Sequence, residues 1–416
     1  MLRRIHVQNF KSIADLTLEP GLVNVLIGEN GCGKSNFLEA LAFASAANAG
    51  KLDNEFLTSR GIRVTAPEFM RSAFKREPDE IAFDVIYDDG YRASFEVLNE
   101  KEGHYPRWVS RKRSLGETAT PSLEASADNA SQNASSLSRD VDEFYRNLEF
   151  ILGSMSLNKT EEGGLALLKS DNGRKLVEKA LHARSHSHSL GDHAGALQFT
   201  NFLIYSPENS ALRTFSQEGQ VLPLGIKGEG LFKLLRFLST DEERWEELKS
   251  NLKMIDWFRD LKVAPEQAPF EQTLQIHDRF LARDLEYFDQ RSANEGFLFL
   301  LFYISLMISP DTPTLFAIDN IDASLNPKTA TALTSRLAKL AKKYKKQIFL
   351  TTHSPAVLDG LDLTDPEHRL FVFQRNRKGE TRCRRVMAPQ PVAGETPVKL
   401  SEAFLRGLIG GLPQNF

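Results

Sequence analysis

The chain has 416 residues, 41% hydrophobic and 26% charged, enough for one large domain with insertions or for two domains with packed cores. A net charge of -3 and a pI near 6.4 exclude a global pull toward nucleic acid, so any such contact needs a local patch. Cys32 and Cys383, far apart and alone, exclude a disulfide framework and a cysteine zinc site.

The N-terminus carries Arg3, Arg4 and His6 and no long apolar core, so no secretory signal is expected. Residues 2–18 hold two apolar stretches, Ile5-His6-Val7 and Leu16-Thr17-Leu18, around Asn9-Phe10-Lys11-Ser12-Ile13. They predict strand, turn and strand. Glu19-Pro20-Gly21 breaks the chain, and the apolar run 22–27 predicts a strand that ends at Gly28. Gly28-x-x-x-x-Gly33-Lys34-Ser35 follows at once, and 37–47 is rich in Ala, Leu and Phe and predicts a helix. Strand, glycine loop and helix start make a phosphate cradle: glycines let backbone N–H groups turn to phosphate oxygens, and the helix terminus adds its positive dipole end. In such a loop Lys34 reaches the β- and γ-phosphates and the Ser35 hydroxyl ligates Mg²⁺. Cys32 inside the loop has two readings, a small residue that fits or a reactive thiol.

Alternation over 81–97, broken by Asp88-Asp89-Gly90, predicts a β-hairpin, with Trp108-Val109-Ser110 as a third strand. From 114 to 140 Ser, Ala, Asn and Thr dominate, which predicts a flexible insertion. Helical spacing returns at 141–152 and 164–182, without a sustained heptad pattern. His182, His186, His188 and His193 have metal-binding spacing, but their Ser- and Gly-rich setting equally describes a polar tract.

Residues 201–207 (N-F-L-I-Y-S-P) predict a short buried strand, 223–235 a glycine turn entering an amphipathic helix, and 241–260 a charged helix with Trp245, Leu248, Leu252 and Ile255 on its packed side. The apolar run 296–308 covers about 13 residues, short of the ~20 that span a bilayer, so it predicts a buried helix and the chain is expected in the cytoplasm. The strand 313–318 ends at Asp319, where a P-loop protein places its Mg²⁺-linked carboxylate. A helix to Lys346 and a strand 347–352 follow, the strand ending in Thr351-Thr352-His353-Ser354-Pro355. A last hairpin, 370–374 and back through 386, carries Arg375, Arg377, Lys378, Arg382, Arg384 and Arg385. Phosphate-backbone binding, a solvated hairpin and a protein-docking edge are all compatible with it. In the tail Leu400, Phe404 and Leu408 predict a short amphipathic docking helix.

The order of these motifs resembles the SMC/RecF-like branch of the ABC ATPases. The resemblance rests on Asn9-Phe10-Lys11-Ser12-Ile13, on Asn30, Gly31, Cys32, Gly33, Lys34, Ser35 and Asn36 of the loop, on Asp319, on the D-loop-like Asp322-Ala323-Ser324-Leu325-Asn326-Pro327, and on His353. It implies an α/β ABC-type ATPase head with an antiparallel β-subdomain and a helical insertion, without a long coiled coil. The expected division is 1–110 and 201–416 as the two halves of the head, with 111–200 as the insertion. The resemblance implies ATP and Mg²⁺ as cofactors, with Ser35 and Asp319 on the metal and His353 near the γ-phosphate.

Two departures matter. The family's catalytic base is a Glu directly after the strand-end Asp, and here Asn320 stands there. An amide orients water but accepts no proton from it, which predicts tight binding and slow hydrolysis. Glu295, Asp322 and His353 are the groups able to compensate. The signature segment is Arg291-Ser292-Ala293-Asn294-Glu295-Gly296, with Ser292 read as helix N-cap and Gly296 allowing close backbone approach, at unusual spacing. No Q-loop glutamine is assigned.

Heads of this branch pair so that each ATP lies between one P-loop and the other subunit's signature helix, which implies a homodimer or a larger even-numbered assembly. With no TOPRIM or HNH motif set in the chain, any destructive activity is expected in a partner. The chain resembles defence-associated ATPases of the Septu and retron type, which implies a nucleotide-gated sensor of a partner nuclease, of HNH type, or of another toxic effector. The alternative is a RecF-like repair ATPase that clamps DNA through the basic hairpin and Lys11.

Overall fold

In the computed structural model the N-terminal alternation becomes an antiparallel pair, β1 (Leu2–Phe10) and β2 (Ile13–Leu18), in the register Ile5↔Leu18 and Phe10↔Ile13. Their tight turn holds Asn9 and Lys11 at φ 61° and 48°, where Asn is tolerated better than most residues. The structure describes residues 1–72, 74, 79–100, 107–112, 198–215, 224–264, 273–282, 284–388 and 398–411. These belong to one unit, Met1–Ser114 with Gln198–Phe416; the second, Leu115–Leu197, lies outside the described residues. With it lie the insertion expected at 114–140, the helices expected at 141–152 and 164–182, and His182, His186, His188 and His193.

Two sheets organise the unit. The first is antiparallel, in the order β2-β1-β4-β5-β6, and adds β4 (Ile81–Tyr87), β5 (Arg92–Glu100) and β6 (Arg107–Lys112). Its hairpin turns at Asp88-Asp89-Gly90, with Gly90 at φ 81°. The second has the order β13-β12-β3-β11-β10-β7. Its strands are β3 (Val23–Gly28), β7 (Ile204–Tyr205), β10 (Leu315–Ile318), β11 (Gln347–Thr351), β12 (His368–Arg375) and β13 (Thr381–Val386). All its pairings are parallel except β12 with β13. Every residue of β3, β10 and β11 is buried, as expected of parallel strands covered on both faces. A separate two-stranded ribbon pairs β8 (Phe258–Val263) with β9 (Leu274–Asp278).

The helices follow the sequence patterns, with corrections at Glu242–Leu252 and Leu400–Leu405. α1 (Lys34–Asn48) follows β3, and the short α2 (Asn54–Ser59), α3 (Pro67–Met70) and α4 (Asn209–Thr214) connect strands. α5 (Leu231–Leu238) buries its Leu stripe. The helix expected to run to Asp260 stops sooner: α6 is Glu242–Leu252, and β8 begins at Phe258. Trp257 accounts for the change, because it packs on Phe288 and Phe297 and turns the chain into the β8–β9 ribbon. The strand expected over 201–207 shrinks to the two residues of β7, paired along one edge to β10.

α7 (Glu295–Ile308) buries all its residues from Phe297 to Ile308, so its apolar run is a core helix. Among the described residues no helix is long and apolar enough to cross a membrane. α8 (Pro327–Tyr344) starts at the Asn326 cap, whose side chain accepts from Thr329 N, and places Lys342 and Lys343 in its last turn, where they complement the dipole. α9 (Pro355–Leu358) and α10 (Leu400–Leu405) complete the set. Leu400 and Phe404 pack on the core, but Leu408 lies past the helix end and is exposed, so the expected docking stripe is one residue shorter.

Candidate nucleotide site

The loop after β3 is held in its cradle shape by exclusion of side chains. At Gly28 (φ 145°) a Cβ would fall 2.2 Å from the Phe373 carbonyl oxygen. At Gly33 (φ 110°) it would fall 2.1 Å from Thr381 Oγ1. Gly33 is also the N-cap of α1 and has no side chain to offer, so the first-turn N–H groups are left for an anion. Lys34 Nζ folds back onto the carbonyls of Gly28 (2.8 Å) and Glu29 (3.1 Å). Burial holds its ammonium below the usual lysine range, opposed by Cys32, Asp319 and Asp322. The Cys32 thiol is buried and pushed up by desolvation, so it stays a thiol and fills space rather than reacting.

Residues far apart in the chain brace this loop. Asn36 Nδ2 donates to Ser12 Oγ (2.7 Å), Ser12 bonds Thr381 Oγ1 (2.7 Å), and Thr381 Oγ1 donates to the Cys32 carbonyl (3.0 Å). Arg375 Nε donates to the Gly31 carbonyl (2.8 Å). Lys11 Nζ and Arg63 Nε both bond the buried Glu39 carboxylate on α1. The element Asn9-Phe10-Lys11-Ser12-Ile13 thus serves as the loop's abutment, with Asn9 Nδ2 on the Glu80 carbonyl (2.8 Å) and Ser72 N on Asn9 Oδ1 (3.0 Å).

The carboxylate side comes from β10 and β11, whose C-terminal ends lie beside that of β3. Asp319 N donates to the Tyr205 carbonyl (2.9 Å), which fixes the end of β10. Ser35 Oγ lies 3.3 Å from Asp319 Oδ2, and Thr351 Oγ1 donates to Asp319 Oδ1. A hydroxyl and a carboxylate oxygen that face each other beside a phosphate cradle fit Mg²⁺, which takes few protein oxygens and completes its shell with phosphate and water. Ser35 and Asp319 are the residues that would hold it, and the ion would neutralise charge on the phosphates. Among the described residues no cluster of three His, Cys, Asp or Glu offers another metal site.

Asn320 is exposed, sits at φ 56° and donates its N–H to Thr351 Oγ1 (2.8 Å). His353 is largely open to solvent, and partial desolvation followed by the nearby Lys34 charge lowers its pKa. A cavity of about 170 Å³ lies between Gly28, Glu29 and Asn30 on one side and Thr352 and His353 on the other, and Phe404 and Gly411 of the tail also line it. The structure therefore brings the P-loop, Asp319, Asn320 and His353 to one end of the central sheet.

The signature residues are built differently from the expectation. Ser292 does not cap α7; its N and Oγ bond Asp289 Oδ1, and the cap is Asn294, which accepts from Phe297 N (2.8 Å). Gly296 lies in the first turn, where a Cβ would fall 3.0 Å from the Ser324 carbonyl, and Glu295 accepts from Ser324 Oγ (2.6 Å). These contacts run to the D-loop segment, not to the P-loop.

The basic hairpin is part of the central sheet, because β12 pairs directly with β3. Arg375 is engaged by Gly31, Arg382 by Glu380 and the Asp15 carbonyl, and Arg384 by the Ile409 carbonyl. Ser12, Thr351, Thr352, Arg375 and Thr381 were the site residues that motif reading missed. Local signals were there for Ser12, inside the Asn9–Ile13 element, and for the Thr pair before His353.

The chain matches, over residues 23–359, the AAA_21 family, described as "AAA domain, putative AbiEii toxin, Type IV TA system". It belongs to this family. Among solved structures it is similar to an Smc head bound to the C-terminal winged-helix domain of ScpA, at 12% identity and TM-score 0.50, over 93% of this chain and 97% of that one. An Smc head with an extended coiled coil, bound to a ScpA domain and derived from Pyrococcus furiosus, matches at 12% identity and TM-score 0.46, over 93% and 96%. The SMC head from Thermotoga maritima matches at 12% identity and TM-score 0.43, over 92% and 98%. A comparison with curated proteins finds no match. The AAA_21 chain thus has the fold of an SMC-type ATPase head.

Proposed function

We propose that the chain binds ATP with Mg²⁺ at Asn30–Asn36, Ser35 and Asp319, hydrolyses it slowly, and acts as a nucleotide-gated subunit. The observation that carries this reading is the Ser35–Asp319–Thr351 arrangement beside a P-loop whose Lys34 ammonium rests on the Gly28 and Glu29 carbonyls. Asn320 at the position of a general base favours a lasting bound state over rapid cycling, because loss of a base costs about 10²–10⁴-fold in rate. Pairing of two heads, with Ser292 and Gly296 of one facing the ATP of the other, follows from the family resemblance. It gives the bound nucleotide a mechanical output: ATP keeps the pair closed.

In this reading the pair is the sensor of a bacterial anti-phage complex, and a separate nuclease of HNH type or another toxic effector is its partner. The family description, which names a toxin of a TA system, supports a conflict role over DNA repair. Arg382 pairs with the Glu380 carboxylate, and Arg375 and Arg384 spend N–H groups on backbone carbonyls, which leaves fewer donors for a DNA backbone. The test is binding of a fluorescent ATP analogue with and without Mg²⁺, with light-scattering mass measured in parallel. Micromolar binding that Lys34→Ala abolishes, with an ATP-driven doubling of mass, is expected. Binding that ignores Lys34, or a monomer at saturating ATP, refutes the reading.

A further inference from the structure

We propose that Asp322 is the carboxylate that activates the attacking water in this site, supplying what Asn320 lacks. The inference rests on the reading of the chain as an ATP-hydrolysing P-loop protein. After Asp319 the chain turns at Asn320 in a left-handed conformation, and Ile321 is buried with its N–H on the Thr351 carbonyl (3.0 Å). This turn carries Asp322 back across the end of β11, where Thr352 Oγ1 donates to Asp322 Oδ1. Ser354 N donates to the same hydroxyl (2.9 Å), which occupies its lone pair and directs its proton at the carboxylate. Consecutive threonines at one strand end therefore hold two carboxylates, Thr351 on Asp319 and Thr352 on Asp322.

The first of these faces Ser35 and serves the metal. The second is half-buried, and its Oδ2 has no hydrogen-bond partner among the described residues. Thr352 lines the cavity beside Gly28, Glu29 and Asn30, so its bond sets Asp322 next to that space, and both carboxylates act electrostatically on Lys34 and on His353. The other groups fit the task less well. His353 is exposed and nothing among the described residues orients its ring by a hydrogen bond; Glu295 is held by Ser324; the Asn320 amide accepts no proton. In the step assigned to Asp322, the water oxygen bonds to the γ-phosphorus and the water proton passes to Oδ2. The bond between the γ-phosphorus and the β–γ bridging oxygen breaks, and its electron pair leaves with ADP. The proton then returns to solvent as phosphate departs.

The experiment compares wild type, Asp322→Asn and Asp322→Glu in the full chain. A fluorescent ATP analogue gives affinity, light scattering gives the ATP-driven assembly, and acid quench with chromatography gives single-turnover cleavage. The expected result is a cleavage loss of about 10²–10⁴-fold in Asp322→Asn, with affinity within about threefold and assembly retained. Nucleotide extracted from Asp322→Asn stays ATP while wild type accumulates ADP, and Asp322→Glu keeps measurable cleavage. A loss below tenfold overturns the proposal, as does a wild type that binds ATP and never cleaves it. Loss of cleavage together with loss of assembly also overturns it, because Asp322 would then act on the interface. A wild type that binds no nucleotide refutes the underlying reading instead.

Discussion

Thr381→Val tests whether the P-loop is held by the abutment seen in the structure. Thr381 is fully buried, and its hydroxyl stands between Ser12 Oγ (2.7 Å) and the Cys32 carbonyl (3.0 Å). Valine keeps the shape and removes both bonds, leaving the Ser12 hydroxyl without its acceptor and the Cys32 carbonyl without its donor. Each bond contributes about 1 kcal/mol net, so the two together come to about 2 kcal/mol. If the loop relaxes in the free protein and is re-formed around phosphate, this cost falls on binding. The upper limit is then roughly a thirtyfold rise in Kd. Titration calorimetry with ATP and Mg²⁺ on wild type, Thr381→Val and Thr381→Ser measures it. The valine variant is expected to bind about tenfold or more weakly, while serine, which keeps the hydroxyl, stays within about twofold. Valine binding at wild-type affinity would show that the relay decorates the loop without holding it.

Other positions give sharper or simpler outcomes. Gly28→Ala places a methyl 2.2 Å from the Phe373 carbonyl at a left-handed φ, so loss of ATP binding or of soluble protein is expected, read by thermal melts with and without nucleotide. Asn320→Glu adds a carboxylate at the position of the family's base and should raise single-turnover cleavage. Its φ of 56° costs the longer side chain about 1 kcal/mol of stability, visible in denaturant melts; unchanged cleavage would exclude Asn320 as the cause of slow turnover. Asn294→Ala removes the α7 cap and should cost about 1 kcal/mol by the same melts. Lys346 is buried, donates to the Leu306 and Ser309 carbonyls and to Thr312 Oγ1, and burial lowers its pKa from 10.5 to about 7. The folded state then binds that proton less readily than the unfolded chain does. Its share of stability is full above pH 10.5, is lost as pH falls toward 7 at up to about 1.4 kcal/mol per unit, and is level below. Lys346→Met should flatten that slope in melts between pH 7 and 10.

Strand and helix positions around the site were legible because each is a local pattern. The apolar runs at 22–27 and 313–318, the glycines of the loop and the Asn326-Pro327 cap act within a few residues of themselves. Where the reading stopped, the cause was long-range contact. Nothing near Trp257 announces that it will meet Phe288 and Phe297 and end α6 early. The place of the basic hairpin in the central sheet was not legible because parallel pairing of β12 with β3 joins residues more than three hundred apart. Ser292 reads as a cap as readily as Asn294 because both residue types cap well, and only the bond to Phe297 N separates them.

Asn320 shows how far a motif carries and where backbone geometry takes over. As a letter in a motif it is a deficit, an amide where a proton acceptor belongs. In the structure it is also a left-handed turn residue, as is Ser324 (φ 58°), and these two bends direct the chain between β10 and α8. Asn adopts that conformation more readily than Glu. The substitution that removes the base therefore also favours the turn that sets Asp322 against Thr352. A site arranged in this way keeps a carboxylate at its edge but holds it by one hydroxyl on a bend of the chain, not on the rigid end of β10. The slow cleavage and long-lived ATP state proposed above would follow from that placement as directly as from the missing glutamate.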